Sequence, residues 1–568
     1  MRFFAAFAAL VAATIALAAQ TPDPLDRAAR RWVETSLKAL TLEQKIGQLI
    51  TSSAQSTFIS SDSEQFDALS KAVSALGIGG MHVFGGSELA PSVLLNPTYG
   101  TVTLGQPFAA ASLLNRLQSI SRIPLLNTAD FEAGVGFRIQ GATAFPRTMA
   151  FGAAGDEKLA YEAGRVTAVE SRALGVHVNF APVVDVNNNP RNPVINTRAF
   201  GEHPDVVGRL GAAYVRGLQA GGMIATLKHF PGHGDTDVDS HIGLPVITHP
   251  RARLESTELP PFRAGIAAGA GAVMSAHVQM PAIDPAEFAP ATLSRAALTG
   301  LLRGDLAFDG LIYTDSMGME AVSRRLSPGE AAARAVHAGN DVVLHSPDDA
   351  AAVEGIRQAI ASGQIPMAQI DASVRRVLEA KARLGLHRQR LVSLDEIPMK
   401  VGTRANRAVA EEVSRRGLTL IKDERSQVPL KVARDARVLY LSVLDYPSGW
   451  RIAAPSRTFI PELRKRWPNV TAIELSDRST PSEVELVRAM APRYDAIVVS
   501  IFVRTASYSG RMDLAPPLAR LLNDLAHATG ASKQPFVTTF FGNPYVATFL
   551  PDLPAMLITY DFYDLAEM

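Results

Sequence analysis

Apolar residues recur at helical spacing over 25–40, and from there to about residue 390 short apolar runs alternate with helix-patterned stretches. Eight such runs stand out, at 46–51, 78–84, 124–130, 176–186, 223–229, 271–280, 310–315 and 341–345. Strands separated by helices are the unit of a parallel sheet. Eight of them match a (β/α)8 barrel, typically about 250 residues and longer with insertions. The polar residues of these runs gather at their ends: Asp130, Asp185, Lys228 with His229, His277 and Asp315 each close an apolar stretch. A closed parallel barrel brings the carboxyl ends of its strands to one face, so residues far apart in sequence converge on one pocket.

A helical pattern at 370–386 carries the alternating charges of Arg375, Arg376, Glu379, Lys381 and Arg383, and a polar connector through Pro398 and Gly402 follows it. The domain boundary is placed there, giving a barrel over 25–395 and a second unit over 396–568. The second unit has apolar runs at 438–444, 496–503, 536–541 and 555–560 with helical patterns between them, which predicts a smaller, doubly wound α/β domain. Its Gly542-Asn543-Pro544 segment reads as a turn.

At the amino end Met1-Arg2 is followed by an apolar run over 3–17 and by Ala16-Leu17-Ala18, ended by Gln20, Pro22 and Asp23. A run that short has signal-peptide length, below the roughly 20 residues of a spanning helix. Removal of 1–18, export to the periplasm or the medium, and no stable membrane insertion after cleavage are expected.

Composition narrows the chemistry. With 47% hydrophobic and 20% charged residues the chain reads as a packed globular protein. Its 56 Lys and Arg balance 55 Asp and Glu, so no net field draws in nucleic acid, and a neutral substrate fits best. The absence of cysteine excludes disulfides, thiolate metal sites and a cysteine nucleophile.

Candidate chemistry concentrates in the segment 228–241, KHFPGHGDTDVDSH. Pro231, Gly232 and Gly234 break regular structure and leave its titratable groups on a loop after the fifth strand. His229, His233 and His241 are potential metal ligands, but histidines four apart need a helix to share a face, and Pro231-Gly232 removes it. Proton transfer is the favoured alternative. A histidine titrates near neutrality, and Asp239, two residues before His241, supplies a carboxylate to orient it. At 312–317 an apolar strand delivers Asp315 and turns, a rigid placement for a nucleophile. Glycoside hydrolysis needs such a pair, one group attacking the anomeric centre and one protonating the leaving oxygen.

These residues resemble the family 3 glycoside hydrolases and, within them, the bacterial β-N-acetylglucosaminidases. The resemblance rests on Lys228 to Gly234 followed by Asp239-Ser240-His241, on Asn179 to Val186, Thr197 to Gly201, Met274 to His277 and Thr314-Asp315. It implies a retaining mechanism with Asp315 as nucleophile, His241 as acid then base, and Asp239 orienting His241. It also implies that Asp130, Arg138, Arg198, Lys228 and His229 bind sugar hydroxyls, that no cofactor or metal is used, and that the substrate is a GlcNAc-containing oligosaccharide or a peptidoglycan fragment. The family's Asp-Gln-Glu-Gly-Gly-Arg reads here Asp130-Phe131-Glu132-Ala133-Gly134-Val135, a departure that bears on the width and dryness of the pocket. In two-domain β-glucosidases of the family the second domain supplies a glutamate acid/base and the His loop is absent. Its presence here implies no catalytic residue from the second domain. The chain stops soon after its last apolar run, short of a further helix and strand usual in the family, which fits either a truncation or a shortened edge. A β-N-acetylglucosaminide phosphorylase, another β-glycosidase such as a β-glucosidase, and a non-catalytic sugar-binding protein of the envelope are the alternative readings.

Overall fold

The computed structural model describes residues 25–85, 105–444, 456, 458–503, 513–562 and 564–568, so the expected signal peptide lies outside the described residues. The first domain is a ring of eight parallel strands: β1 (Ile50–Gln55), β2 (Gly80–Phe84), β3 (Thr128–Ala129), β4 (Val178–Asn179), β5 (Ile224–Phe230), β6 (Ala272–Ser275), β7 (Leu311–Thr314) and β8 (Val343–Leu344). Neighbours pair in sequence order from β1 to β7, β1 also pairs with β8, and a Tyr313–Val342 bridge, with Thr314 N donating to Val342 O at 3.0 Å, brings β7 and β8 together. All eight predicted runs contain or abut a strand. One begins differently: Ile46 and Gly47 finish the helix Leu42–Gly47, and β1 starts only at Ile50. Thr41 and Gln44 form a reciprocal capping box that commits the chain to this helix turn, and apolar periodicity alone does not separate a helix end from a strand start.

The expected helices span Arg27–Ala39 and Met367–Arg383. Pro398 occupies the first turn of the short helix Ile397–Lys400, where its missing N–H costs nothing. The next helix, Arg404–Gly417, packs on the barrel and buries Ala410 and Val413 in the barrel's core. Glu170, fully buried, fastens this connector by accepting from Gly402 N at 2.9 Å and Asn406 Nδ2 at 2.8 Å.

Beyond it lies a six-stranded sheet of β9 (Thr419–Asp423), β10 (Val438–Leu444), β11 (Val470–Ser476), β12 (Ala496–Val503), β13 (Phe536–Gly542) and β14 (Ala555–Ile558), in the order β11-β10-β12-β13-β14-β9. Only the β14–β9 pair is antiparallel. Along β10 alternate residues face opposite ways. Leu439, Leu441 and Val443 join a core with the helices Pro481–Met490 and Pro516–Ser532, while Val438 and Tyr440 pack with Leu463 of the helix Phe459–Arg466. With helices on both faces the sheet is doubly wound, as the sequence pattern predicts.

Candidate active site

Every strand-end residue singled out in the sequence lies on the carboxyl face of the barrel. Lys228, near the end of β5, is buried and places Nζ 2.7 Å from both Asp130 and Glu132. Glu132 also accepts from Arg198 Nε at 2.9 Å and Nη2 at 2.8 Å, a two-pronged contact that fixes the guanidinium plane. Burial alone would raise the Glu132 carboxyl, but Arg198 and Lys228 hold it below its ordinary value. Asp130 behaves alike, with Lys228, His82 and Arg138 outweighing burial. Arg138 stacks on Phe137 at 4.6 Å, near enough for its charge to act on Asp130.

His229 is held from below. Its Nδ1–H donates to Asp185 Oδ2 at 2.7 Å, and fully buried Asp185 also accepts from the backbone N–H of His229 at 3.2 Å and of His233 at 2.7 Å. That bond turns His229 Nε2 toward Arg198 Nη2, 3.4 Å away. His233 is instead shared between Thr236 and Ser240 at 3.0 and 2.9 Å, and burial pushes its imidazole down to about 4, so it is neutral at working pH. The three loop histidines therefore share no side-chain partner: His229 goes to Asp185, His233 to Thr236 and Ser240, and His241 to Asp239. Among the described residues no group of three His, Cys, Asp or Glu side chains is arranged to hold a metal ion.

Asp315 follows β7 directly, its N–H donating to Ser275 O at 3.1 Å and its Oδ1 accepting from Ser316 N at 2.7 Å. Burial would raise this carboxyl, but His229, His277, His241 and Lys228 together pull it below the usual carboxylate value, so it is ionised at neutral pH. His277 steadies the turn: Nε2–H donates to Ser316 O at 2.9 Å and Nδ1 pairs with Thr292 Oγ1 at 2.8 Å, while burial lowers its imidazole against the pull of Asp315. Across the pocket His241 donates Nδ1–H to Asp239 at 2.7 Å, and the same carboxylate accepts from His241 N at 2.9 Å. With Nδ1 committed, proton exchange belongs to Nε2.

All eight predicted site residues thus belong to one constellation, Arg138 through its charge on Asp130 and the His241–Asp239 pair through the charge of His241 on Asp315. Two of the three substituted motif residues do not line it: Phe131 and Val135 are fully buried in the barrel core. Glu132, Asp185 and His277 are additional members. Asp185 and His277 carry the strand-end signal, whereas Glu132 has none beyond its place in the motif.

Residues 41–380 match the sequence profile described as "Glycosyl hydrolase family 3 N terminal domain", more than half of the chain. The chain belongs to glycosyl hydrolase family 3. It is 30% identical over 553 residues to a Cellulomonas fimi "Beta-N-acetylglucosaminidase/beta-glucosidase", covering 95% of this chain and 92% of that one. It is 34% identical to "Beta-hexosaminidase A" of Pseudoalteromonas piscicida over 61% of this chain and 62% of the relative. Among solved structures, a family 3 β-N-acetylglucosaminidase from Paenibacillus sp. superposes with a TM-score of 0.78 at 33% identity, covering 93% of this chain and 95% of that one. A β-glucoside phosphorylase superposes at 0.82 with 23% identity, over 97% of this chain and 95% of that one, a likeness of fold.

Two results are expected of this family member's site. The Cα of Gly234 lies against the backbone of Val186, where a β-carbon would meet the carbonyl oxygen at 1.7 Å. Gly234→Ala must therefore shift the loop that carries His241. A displacement of about 1 Å can cost on the order of 10²-fold in rate, and kcat/KM should fall by about that much while the circular dichroism spectrum is unchanged.

The second concerns pH. Glu132 and Asp130 have folded-state values below their ordinary 4.5 and 3.8, so their ionisation adds stability above those values and the gain is lost as pH falls through the folded ones. The thermal midpoint should hold from neutrality down to about pH 5 and decline below about pH 4. Glu132→Gln should begin lower at neutral pH, by on the order of 3 kcal/mol, because it strips a buried partner from Lys228 and Arg198. Its decline in acid should be shallower. A slope as steep as that of the unmodified protein would remove Glu132 from the acid limb.

Proposed function

We propose that this family 3 member is a retaining β-N-acetylglucosaminidase, releasing terminal β-linked N-acetylglucosamine through a covalent glycosyl-aspartate. The observation that carries the reading is the pairing of an ionised strand-end carboxylate, Asp315, with a histidine oriented by its own carboxylate, His241 on Asp239. Asp315 attacks C1 as His241 Nε2–H protonates the departing oxygen. Nε2 then takes a proton from water, whose oxygen displaces Asp315 from C1. Lys228, Asp130, Arg198, His229 and Arg138 bind the hydroxyls of the sugar at that carbon. The Cellulomonas fimi and Paenibacillus relatives, both named as β-N-acetylglucosaminidases and the first also as a β-glucosidase, support the choice of N-acetylglucosamine.

The test is turnover of p-nitrophenyl β-N-acetylglucosaminide against the β-glucoside and β-xyloside, each with and without phosphate. Dominance of the first, with free sugar as product, supports the proposal, and preference for either of the others overturns it. One observation favours a second reading: the group oriented on Asp239 is an imidazole, which unlike a carboxylate does not repel an anionic acceptor, so phosphorolysis is open to this site. Sugar 1-phosphate as the product would decide for it.

We also propose export, with a GlcNAc-containing oligosaccharide or a peptidoglycan fragment as substrate. The 3–17 apolar run and Ala16-Leu17-Ala18 support the export reading. Among the described residues no helix is long and apolar enough to cross a membrane. Intact mass should place the mature amino terminus near Ala19. A cytoplasmic pool that retains Met1 would overturn export.

A further inference from the structure

The loop that follows β4 carries Arg198 two residues after Asn196, and Asn196 has a left-handed backbone, with φ of 44°. Asparagine tolerates that conformation when its polar groups are bonded locally. Here Asn196 N donates to Asn187 Oδ1 at 2.8 Å and Asn196 Oδ1 accepts from Thr197 N at 2.8 Å. The remaining group reaches out of the barrel, because Asn196 Nδ2 donates to Asn543 Oδ1 of the second domain at 3.1 Å.

Asn543 stands on a rigid base. It follows β13 directly, and its N–H donates to Val503 O, at the end of β12, at 2.7 Å. Asn543 Oδ1 also accepts from Tyr545 N at 3.1 Å. Tyr545 takes the same barrel loop at two further points: its hydroxyl donates to Glu202 at 2.7 Å and accepts from Asn187 Nδ2 at 3.0 Å. Burial and the Glu202 carboxylate push the phenol up, so it remains protonated and able to donate. Between these anchors lie the two parts of the loop that bear on the site. Arg198 is locked on Glu132 beside Lys228, and Asn192 Nδ2 donates to His233 O at 2.8 Å and Gly234 O at 2.9 Å in the His241 loop.

We propose that Asn543 and Tyr545 make the second domain a positioning element of the sugar site, holding the 187–202 loop so that Arg198 is presented to the bound sugar. The proposal rests on the reading of Arg198 as a sugar-binding residue. Neither second-domain side chain touches substrate. Their effect passes through Asn196, Asn187 and Glu202 to Arg198.

The experiment uses the full chain and whichever p-nitrophenyl glycoside the turnover screen selects. Asn543→Ala and Tyr545→Phe should each raise KM by about three- to tenfold, the scale of one lost hydrogen bond, with kcat within about twofold. Tyr545→Phe keeps the ring and deletes one oxygen, so it remains informative if the alanine variant folds poorly. In an Arg198→Ala background Asn543→Ala should add nothing to KM, since the contact it supports is already gone.

Unchanged KM in both single variants, or effects that multiply fully with Arg198→Ala, would overturn the positioning role. So would a lowered thermal midpoint with KM intact, which is what a merely structural contact gives. If Arg198→Ala raises KM and the second-domain variants do not, only the positioning proposal falls. If Arg198→Ala itself leaves KM unchanged, the sugar-binding reading falls and takes this proposal with it.

Discussion

Asp315→Asn should reduce turnover by on the order of 10⁴- to 10⁶-fold, the scale at which loss of a covalent nucleophile is felt in other enzymes. An amide fills the same volume and still offers an oxygen to Ser316 N, which Asp315 Oδ1 now accepts from at 2.7 Å, so the turn after β7 should survive. It does not form a stable ester at C1, and it lacks the negative charge that His229, His277, His241 and Lys228 stabilise in the unmodified protein. The loss should therefore appear in kcat for good and poor leaving groups alike. In Asp315→Gly, which leaves room on that face of C1, added azide, a small anionic nucleophile, should recover part of the turnover of an aryl glycoside. A folded Asp315→Asn protein with activity near that of the unmodified enzyme would remove Asp315 from the mechanism.

The eight barrel strands were legible because each is a short apolar run flanked by helical pattern, and a parallel strand covered on both faces has to be apolar throughout. The two strands of the second sheet that escape the same reading, β9 and β11, are its edges. Leu420 and Ile421 in β9 are exposed, and β11 buries only Val470, Leu475 and Ser476, so neither presents the continuous apolar signature of β10 or β12. Several candidate site residues were visible for a related reason: a barrel concentrates polarity at strand ends, and Asp315, His229 and Lys228 interrupt otherwise apolar stretches. Among residues that act on other protein groups, Asp185 and His277 share that mark, but Glu132 and Asn543 do not. Glu132 sits in a loop whose polarity is unremarkable in sequence, and its meaning lies in Arg198 and Lys228, 66 and 96 residues away along the chain. Asn543 reads as an ordinary turn asparagine until its partner, Asn196, is seen across the domain interface, 347 residues earlier.

His241→Ala should separate substrates by their leaving groups. When the departing oxygen belongs to a sugar, it leaves as an alkoxide unless a proton arrives in the transition state, and His241 Nε2–H is placed to supply one because Nδ1 is committed to Asp239 at 2.7 Å. General-acid help of this kind is worth about 10²–10⁴ in rate, so hydrolysis of a GlcNAc disaccharide should fall by that order. A p-nitrophenolate leaves readily without a proton, and glycosylation of Asp315 by the aryl substrate should change far less. Once glycosylation is fast and base-assisted hydrolysis slow, the glycosyl-aspartate should accumulate, giving a burst of nitrophenol followed by a slower steady rate. Asp239→Asn should give a weaker version of the same pattern, since it keeps the imidazole but replaces the buried carboxylate that orients it. Arg198 and Lys228 variants provide the contrast: contacts to the sugar ring do not depend on the aglycone, so both substrate types should suffer by the same factor. Equal losses for disaccharide and aryl glycoside in His241→Ala, with binding preserved, would mean that His241 is not the acid and that the protonating group lies elsewhere in the pocket.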